Sequence, residues 1–202
     1  EIESKDGSTP AHLAAQNGHL DIIKELLKAR VNLEIQNKDG WTPAHLAAQN
    51  GHLGIIKELQ EAGVNLEIQN KDGWTPAHLA AKNGHLGIIQ ELLKAGVNLE
   101  TPKKDGWTPA HLAADKGHLG IIKELREAGV NLEIQDKNGC TPAHTAAQNG
   151  HIGIIKALLE SGVNLEAQNK DGWTPAHLAA DKGYLDIIKE LREAGVNLEI
   201  QN

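Results

Sequence analysis

The residues of this sequence best suited to move protons near neutrality or to hold a transition metal are its eleven histidines, together with a single cysteine, Cys140. Imidazole titrates near neutrality and ligates divalent ions, so such a supply would suit general acid–base or metal chemistry. Their spacing argues against it. Six follow Thr-Pro-Ala (His12, His45, His78, His111, His144 and His177), and five follow a glycine (His19, His52, His85, His118 and His151). A catalytic group is one constellation with its own tuned neighbours, whereas these histidines recur unchanged along the chain. The first set is expected to hydrogen-bond the backbone of a neighbouring loop, and the second to sit where a helix begins. The sequence has no zinc-type Cys/His spacing, phosphate-cradling glycine loop or nucleophile–base pair. Neither catalysis nor a metal or cofactor is expected. Cys140 reads as an exposed reactive thiol or, preferably, as a plain substitute for the tryptophan found at its phase.

The elements that position these residues follow from an internal repeat. Thr-Pro recurs at Thr9, Thr42, Thr75, Thr108, Thr141 and Thr174, always 33 residues apart and without insertion or deletion. Such a period means that each repeat is a small supersecondary element unable to bury its apolar face alone. In the second repeat, Thr42 is a good N-cap before Pro43, which is favoured at the first helical position. A short, Ala-lined helix runs from there to Asn50-Gly51, where glycine suits a left-handed C-cap. A second helix starts near His52-Leu53, carries Ile55, Ile56 and Leu59 as an apolar stripe, and ends at Ala62-Gly63. Val64 to Gly73, closing on Lys71-Asp72-Gly73, reads as an extended, hairpin-like loop.

The run Asp39-Gly40-Trp41-Thr42-Pro43-Ala44-His45-Leu46-Ala47-Ala48, followed by Gly51-His52 and Gly63-Val64-Asn65, resembles the ankyrin repeat. The likeness extends over all six repeats, at approximately 1–33, 34–66, 67–99, 100–132, 133–165 and 166–202, within a single domain over 1–202. Two departures recur: alanine follows Thr-Pro where the family usually has leucine, and Gly-Val-Asn-Leu-Glu stands for Gly-Ala-Asp-Val-Asn. The resemblance implies an all-α right-handed solenoid of helix–turn–helix units with hairpin-like loops, and a concave groove that binds a protein partner.

Trp41, Trp74, Trp107 and Trp173 share the phase immediately before Thr-Pro, with Ser8 and Cys140 in the remaining repeats. They form either a row of aromatic anchors for a partner or a set of indoles that close the stack. In ankyrin-like proteins this phase commonly faces the partner, which favours binding. Specificity belongs where the repeats differ. At the end of the first helix the pair varies as Gln16-Asn17, Gln49-Asn50, Lys82-Asn83, Asp115-Lys116, Gln148-Asn149 and Asp181-Lys182. Before the fourth repeat, Thr101-Pro102-Lys103 replaces Ile-Gln-Asn and sets Lys103 beside Lys104, as a contact or as tolerated drift.

Composition narrows the partner. With no Phe, one Tyr and four Trp, the core must be built from Leu, Ile, Val and Ala in thin layers. A net charge of −7 with interleaved signs provides no basic stripe for nucleic acid, and no apolar run is long enough for membrane insertion. One unpaired cysteine and no signal peptide suit an intracellular, cytoplasmic setting. The chain opens on Glu1, as a fragment or processed product would. Its terminal repeats keep apolar residues such as Ile187-Ile188 where a cap would be polar, so further repeats or self-association through uncapped ends is expected. A two-repeat alternation (Leu27, Leu93 and Leu159 against Gln60, Arg126 and Arg192) suits duplication of a natural array. An engineered, consensus-derived scaffold with no native partner, or the binding arm of a larger effector or enzyme, stays open.

Overall fold

The computed structural model describes residues 6–201, and the described residues hold twelve helices and no strand. The chain divides into two compact units between Lys104 and Asp105. The first contains α1 (Pro10–Asn17), α2 (Leu20–Lys28), α3 (Pro43–Asn50), α4 (Leu53–Glu61), α5 (Pro76–Asn83) and α6 (Leu86–Lys94). The second contains α7 (Pro109–Lys116), α8 (Leu119–Glu127), α9 (Pro142–Gln148), α10 (Ile152–Glu160), α11 (Pro175–Asp181) and α12 (Leu185–Glu193).

Each repeat is an antiparallel-type helix pair started and stopped by the residues expected to do so. Thr42 is extended at φ −104° and ψ 166°, its side chain accepts from the His45 amide, and Pro43 opens α3. Gly51 then takes the left-handed conformation at φ 79° and ψ 20° and turns the chain into α4. Helices of eight or nine residues are marginal on their own, so their stability must come from stacking. In the first unit α1 packs on α3 and α3 on α5, while α2 packs on α4 and α4 on α6. The second unit repeats the scheme, with α7 on α9 on α11 and α8 on α10 on α12.

The thin aliphatic core expected from composition is present. Ile55, Ile56, Leu59, Ile88, Ile89 and Leu92 in the first unit are buried, as are Ile121, Ile122, Leu125, Ile154, Ile155 and Leu158 in the second. Each fully buried side chain of this size contributes on the order of 2 kcal/mol. The alanines of the first helices, such as Ala47 and Ala48, are also buried and let the backbones approach closely. The outer faces of the first and last repeats differ: Ile22 is 47% exposed where its counterpart Ile55 is 1% exposed, and Leu198 is 38% exposed where Leu165 is 3%.

The loops are tight turns bonded to one another rather than strand hairpins. Gly40 donates to the Asn37 carbonyl at 2.9 Å, and the Asn37 amide donates to the Trp41 carbonyl at 2.9 Å. Loop is tied to loop by the Lys71 amide on the Asp39 carbonyl and the Lys104 amide on the Asp72 carbonyl, both at 3.1 Å. Gly73, at φ +83°, is required here, because a Cβ would lie 2.9 Å from the Lys104 nitrogen. The recurrent Leu-Glu after Val-Asn also has a stacking role. Glu34 Oε1 accepts from the Asn65 amide at 2.7 Å, and Glu67 Oε1 from the Asn98 amide at 2.6 Å.

One residue breaks the pattern. Arg30 sits at φ 55°, at the phase where Gly63, Gly96, Gly129, Gly162 and Gly195 take φ between 72° and 77°. A side chain pays roughly 1 kcal/mol for this left-handed conformation. Arg30→Gly is therefore expected to raise the unfolding free energy by about 1 kcal/mol, read as a higher urea midpoint. An unchanged or lower midpoint would show that the arginine side chain compensates its strain.

Candidate partner-binding face

The histidines of the Thr-Pro-Ala-His boxes are fixed by hydrogen bonds that also fix their tautomer. His45 Nδ1 accepts from the Thr42 amide at 3.1 Å and stands 2.8 Å from Thr42 Oγ1. Nε2 therefore carries the hydrogen and donates to the Trp74 carbonyl at 2.9 Å. The same bond joins His12 to Trp41, His111 to Cys140 and His144 to Trp173, at 2.8, 2.9 and 3.0 Å. Each of these rings thus clamps the following loop, the backbone role expected of them. Burial pushes His45 down to about 4, and likewise lowers His111 and His144. The imidazoles of His45, His111 and His144 are neutral structural ties at physiological pH.

The second histidine set stands at the N-cap positions of the second helices without a side-chain capping bond, and reaches backwards instead. His52 Nε2 donates to the Gln16 carbonyl at 3.0 Å, His85 to Gln49 at 3.1 Å and His151 to Asp115 at 3.0 Å. These bonds go to carbonyls at the ends of the preceding repeats' first helices, which lack partners within their own helix. Only the three-dimensional stack reveals this use. Among the described residues no group of three His, Cys, Asp or Glu side chains is placed to hold a metal ion.

The four tryptophans lie half-buried on the loop face, each against the box histidine of its own repeat. Ring centroids are 5.8 Å apart for Trp41 and His45, 6.0 Å for Trp74 and His78, 5.9 Å for Trp107 and His111, and 6.3 Å for Trp173 and His177. The indoles thus partly pack and partly face solvent. Two of the variable lysines meet one of them. Lys82 Nζ is 5.1 Å and Lys103 Nζ 5.0 Å from the Trp74 ring centroid, within cation–π range.

The remaining variable residues are placed less uniformly. Asn83 Nδ2 donates to the Leu79 and Gln49 carbonyls, so it closes its helix end. Asp115 pairs with Lys116 at 2.9 Å and accepts from Asn149, and Asp181 pairs with Lys182 at 2.8 Å. The side chain of Lys104 is exposed while its amide joins the loop ladder. Cys140 is half-buried, Asn169 Nδ2 approaches its Sγ at 3.5 Å, and burial pushes the thiol up, away from the reactive thiolate. Asp136 was not singled out by sequence reasoning, yet it accepts the Trp107 indole N–H at 3.0 Å. Its signal was the change from asparagine to aspartate at one phase, legible only once that phase is known to touch the preceding tryptophan.

Open clefts also recur on the far side of the repeats. One is lined by Leu27, Arg30 to Glu34 and Ala62 to Val64, and another by Gln60, Gly63 to Glu67 and Ala95 to Val97. They occupy equivalent places between successive repeats, so stacking alone accounts for them. A family model described as ankyrin repeats (3 copies) matches residues 1–70, 54–136 and 120–202. No curated protein matches the chain.

Proposed function

The chain belongs to the ankyrin-repeat family, and from that membership we propose that it is a protein-binding module whose partner lies across the loops and first helices of its repeats. Ankyrin repeats are generally protein–protein interaction modules and, as a family, a non-catalytic fold. The observation that carries the reading is the tryptophan row. Its indoles remain half-exposed while the residues that stack the repeats are almost invariant, and charge varies beside the indoles. Large aromatics set among variable polar groups are the usual anchors of such interfaces. The proposed surface comprises Trp41, Trp74, Trp107 and Trp173 with Lys82, Asn83, Lys103, Lys104, Asp115, Lys116, Asp181 and Lys182, and Cys140 lies in the same row. Among the described residues no helix is long and apolar enough to cross a membrane.

The test is capture of proteins by the immobilised chain, compared with the Trp74→Ala/Trp107→Ala double variant. Loss of two anchors is expected to reduce specific retention about tenfold or more. Equal retention by both would remove the tryptophan row from the mechanism.

Self-association is a second proposal, favoured by the apolar hollow of Ala176, His177, Ala180, Ile188 and Leu198 on the last repeat and by exposed Ile22 and Leu13 on the first. Ile188→Lys is expected to lower the mass seen by light scattering. A mass unchanged from that of the parent chain would refute it.

A further inference from the structure

Each residue of the tryptophan row has two variable neighbours. One lies eight residues on, at the end of the same repeat's first helix, and the other lies 29 residues on, at the tip of the next loop. The second position reaches back to the row in four repeats: Asn37 to Ser8, Lys103 to Trp74, Asp136 to Trp107 and Asn169 to Cys140. Around Ser8 the two neighbours are Gln16 and Asn37, around Trp41 they are Gln49 and Asn70, and around Cys140 they are Gln148 and Asn169. Around Trp74 both are lysine, Lys82 and Lys103, and around Trp107 both are aspartate, Asp115 and Asp136. Around Trp173 they are Asp181 and Asn202, so the two positions change charge together at Trp74 and Trp107 but not in the last repeat. Stacking does not demand the paired change, because neutral pairs serve the first, second and fifth repeats.

Lys103 also replaces a residue with a structural duty. Asn70 Oδ1 accepts from the Asp72 and Trp74 amides, both at 2.9 Å, and Asn37 and Asn169 cap their turns in the same way. A lysine side chain has no acceptor, so the loop of the fourth repeat gives up this cap, and the Trp107 amide turns to Asp105 Oδ1 at 3.0 Å. A local rule broken at a partly exposed, charged position marks function more often than packing.

We propose that Trp74, Lys82 and Lys103 form an anchor for an acidic segment of a protein partner. An apolar side chain of that segment lies on the half-exposed indole, and carboxylates on either side of it meet the two ammonium groups. The proposal rests on the protein-binding reading above and adds the chemistry of the partner. Contact with the ring holds both ammonium groups near their binding positions, which lowers the ordering cost of association. On a chain of net charge −7 this local reversal of sign gives selectivity and steering that the other tryptophans lack.

The experiment uses the full chain and fluorescence polarisation of three labelled probes: a peptide alternating glutamate and leucine, the matching lysine–leucine peptide, and a single-stranded oligonucleotide. The glutamate peptide is expected to bind best and to weaken with added salt. Lys82→Gln/Lys103→Asn gives Trp74 the same neighbours that Trp41 has, so folding is preserved, and it is expected to weaken the glutamate peptide about tenfold or more. Asp115→Gln/Asp136→Asn is expected to leave that binding intact. The proposal is overturned if the glutamate peptide fails to bind, if the lysine double variant binds it equally, if the lysine peptide is preferred, or if the oligonucleotide binds more tightly through the same lysines. Failure of the wider reading is distinct: it is the tryptophan double variant that then retains proteins undiminished. If that variant loses retention while the lysine variant binds peptide normally, protein binding stands and the acidic segment falls.

Discussion

Replacing His45 with alanine is expected to lower the unfolding free energy by about 3 kcal/mol or more. The ring is fully buried, and both its nitrogens are committed, to the Thr42 amide and to the Trp74 carbonyl. No buried side-chain polar atom among the described residues lacks a partner, so the truncation would create two orphaned groups and a cavity where none exist. It would also release the third repeat's loop from the second repeat. The measurement is urea unfolding followed by far-UV circular dichroism. A midpoint within experimental error of the parent protein would mean that water replaces the imidazole at little cost, and that the clamp is dispensable.

Acidification should destabilise the protein in a window set by the same ring. His45 has a folded value of about 4 against about 6.5 unfolded. Between these limits the unfolded chain binds more protons than the folded one, so stability rises with pH across the window and falls as pH drops through it. The contribution is fully present above about pH 6.5, and its loss approaches about 3 kcal/mol at pH 4. Burial shifts His111 and His144 in the same direction, adding to the slope. Thermal melts at pH 7 and pH 5 check this, because most carboxylates stay ionised over that range. The melting temperature is expected to fall with pH, and His45→Gln should flatten the dependence. A melting temperature constant over that span would contradict the buried, neutral state of these rings.

The architecture was largely legible because its signals are local. Thr42 before Pro43 starts a helix, Gly51 stops it, and the Ile55-Ile56-Leu59 stripe states which face is covered; all three act through neighbouring residues. The recurrence of the box histidines points to backbone partners for the same reason, and the stack supplies them. What escaped depends on neighbours 29 to 36 residues away. Nothing near His52 in sequence indicates that its ring answers the Gln16 carbonyl, and nothing near Asp136 indicates the Trp107 indole. The strain at Arg30 was missed although its signal was present, as the one interruption in a column of glycines. Lys103 is an anomaly in the sequence, but its meaning lies in the ring contact to Trp74 and the loss of an asparagine cap.

The spacing of the cross-repeat bonds also bears on how such a gene can change length. Box histidines reach forward 29 residues, glutamates 31, Gln36 to Gln69 33, and His52 reaches back 36. A one-codon insertion between His45 and His52 would dislocate all four registers together, whereas copying a whole repeat restores every one of them. Lengthening and shortening are thereby quantised, and the five equal intervals between the Thr-Pro pairs fit that constraint.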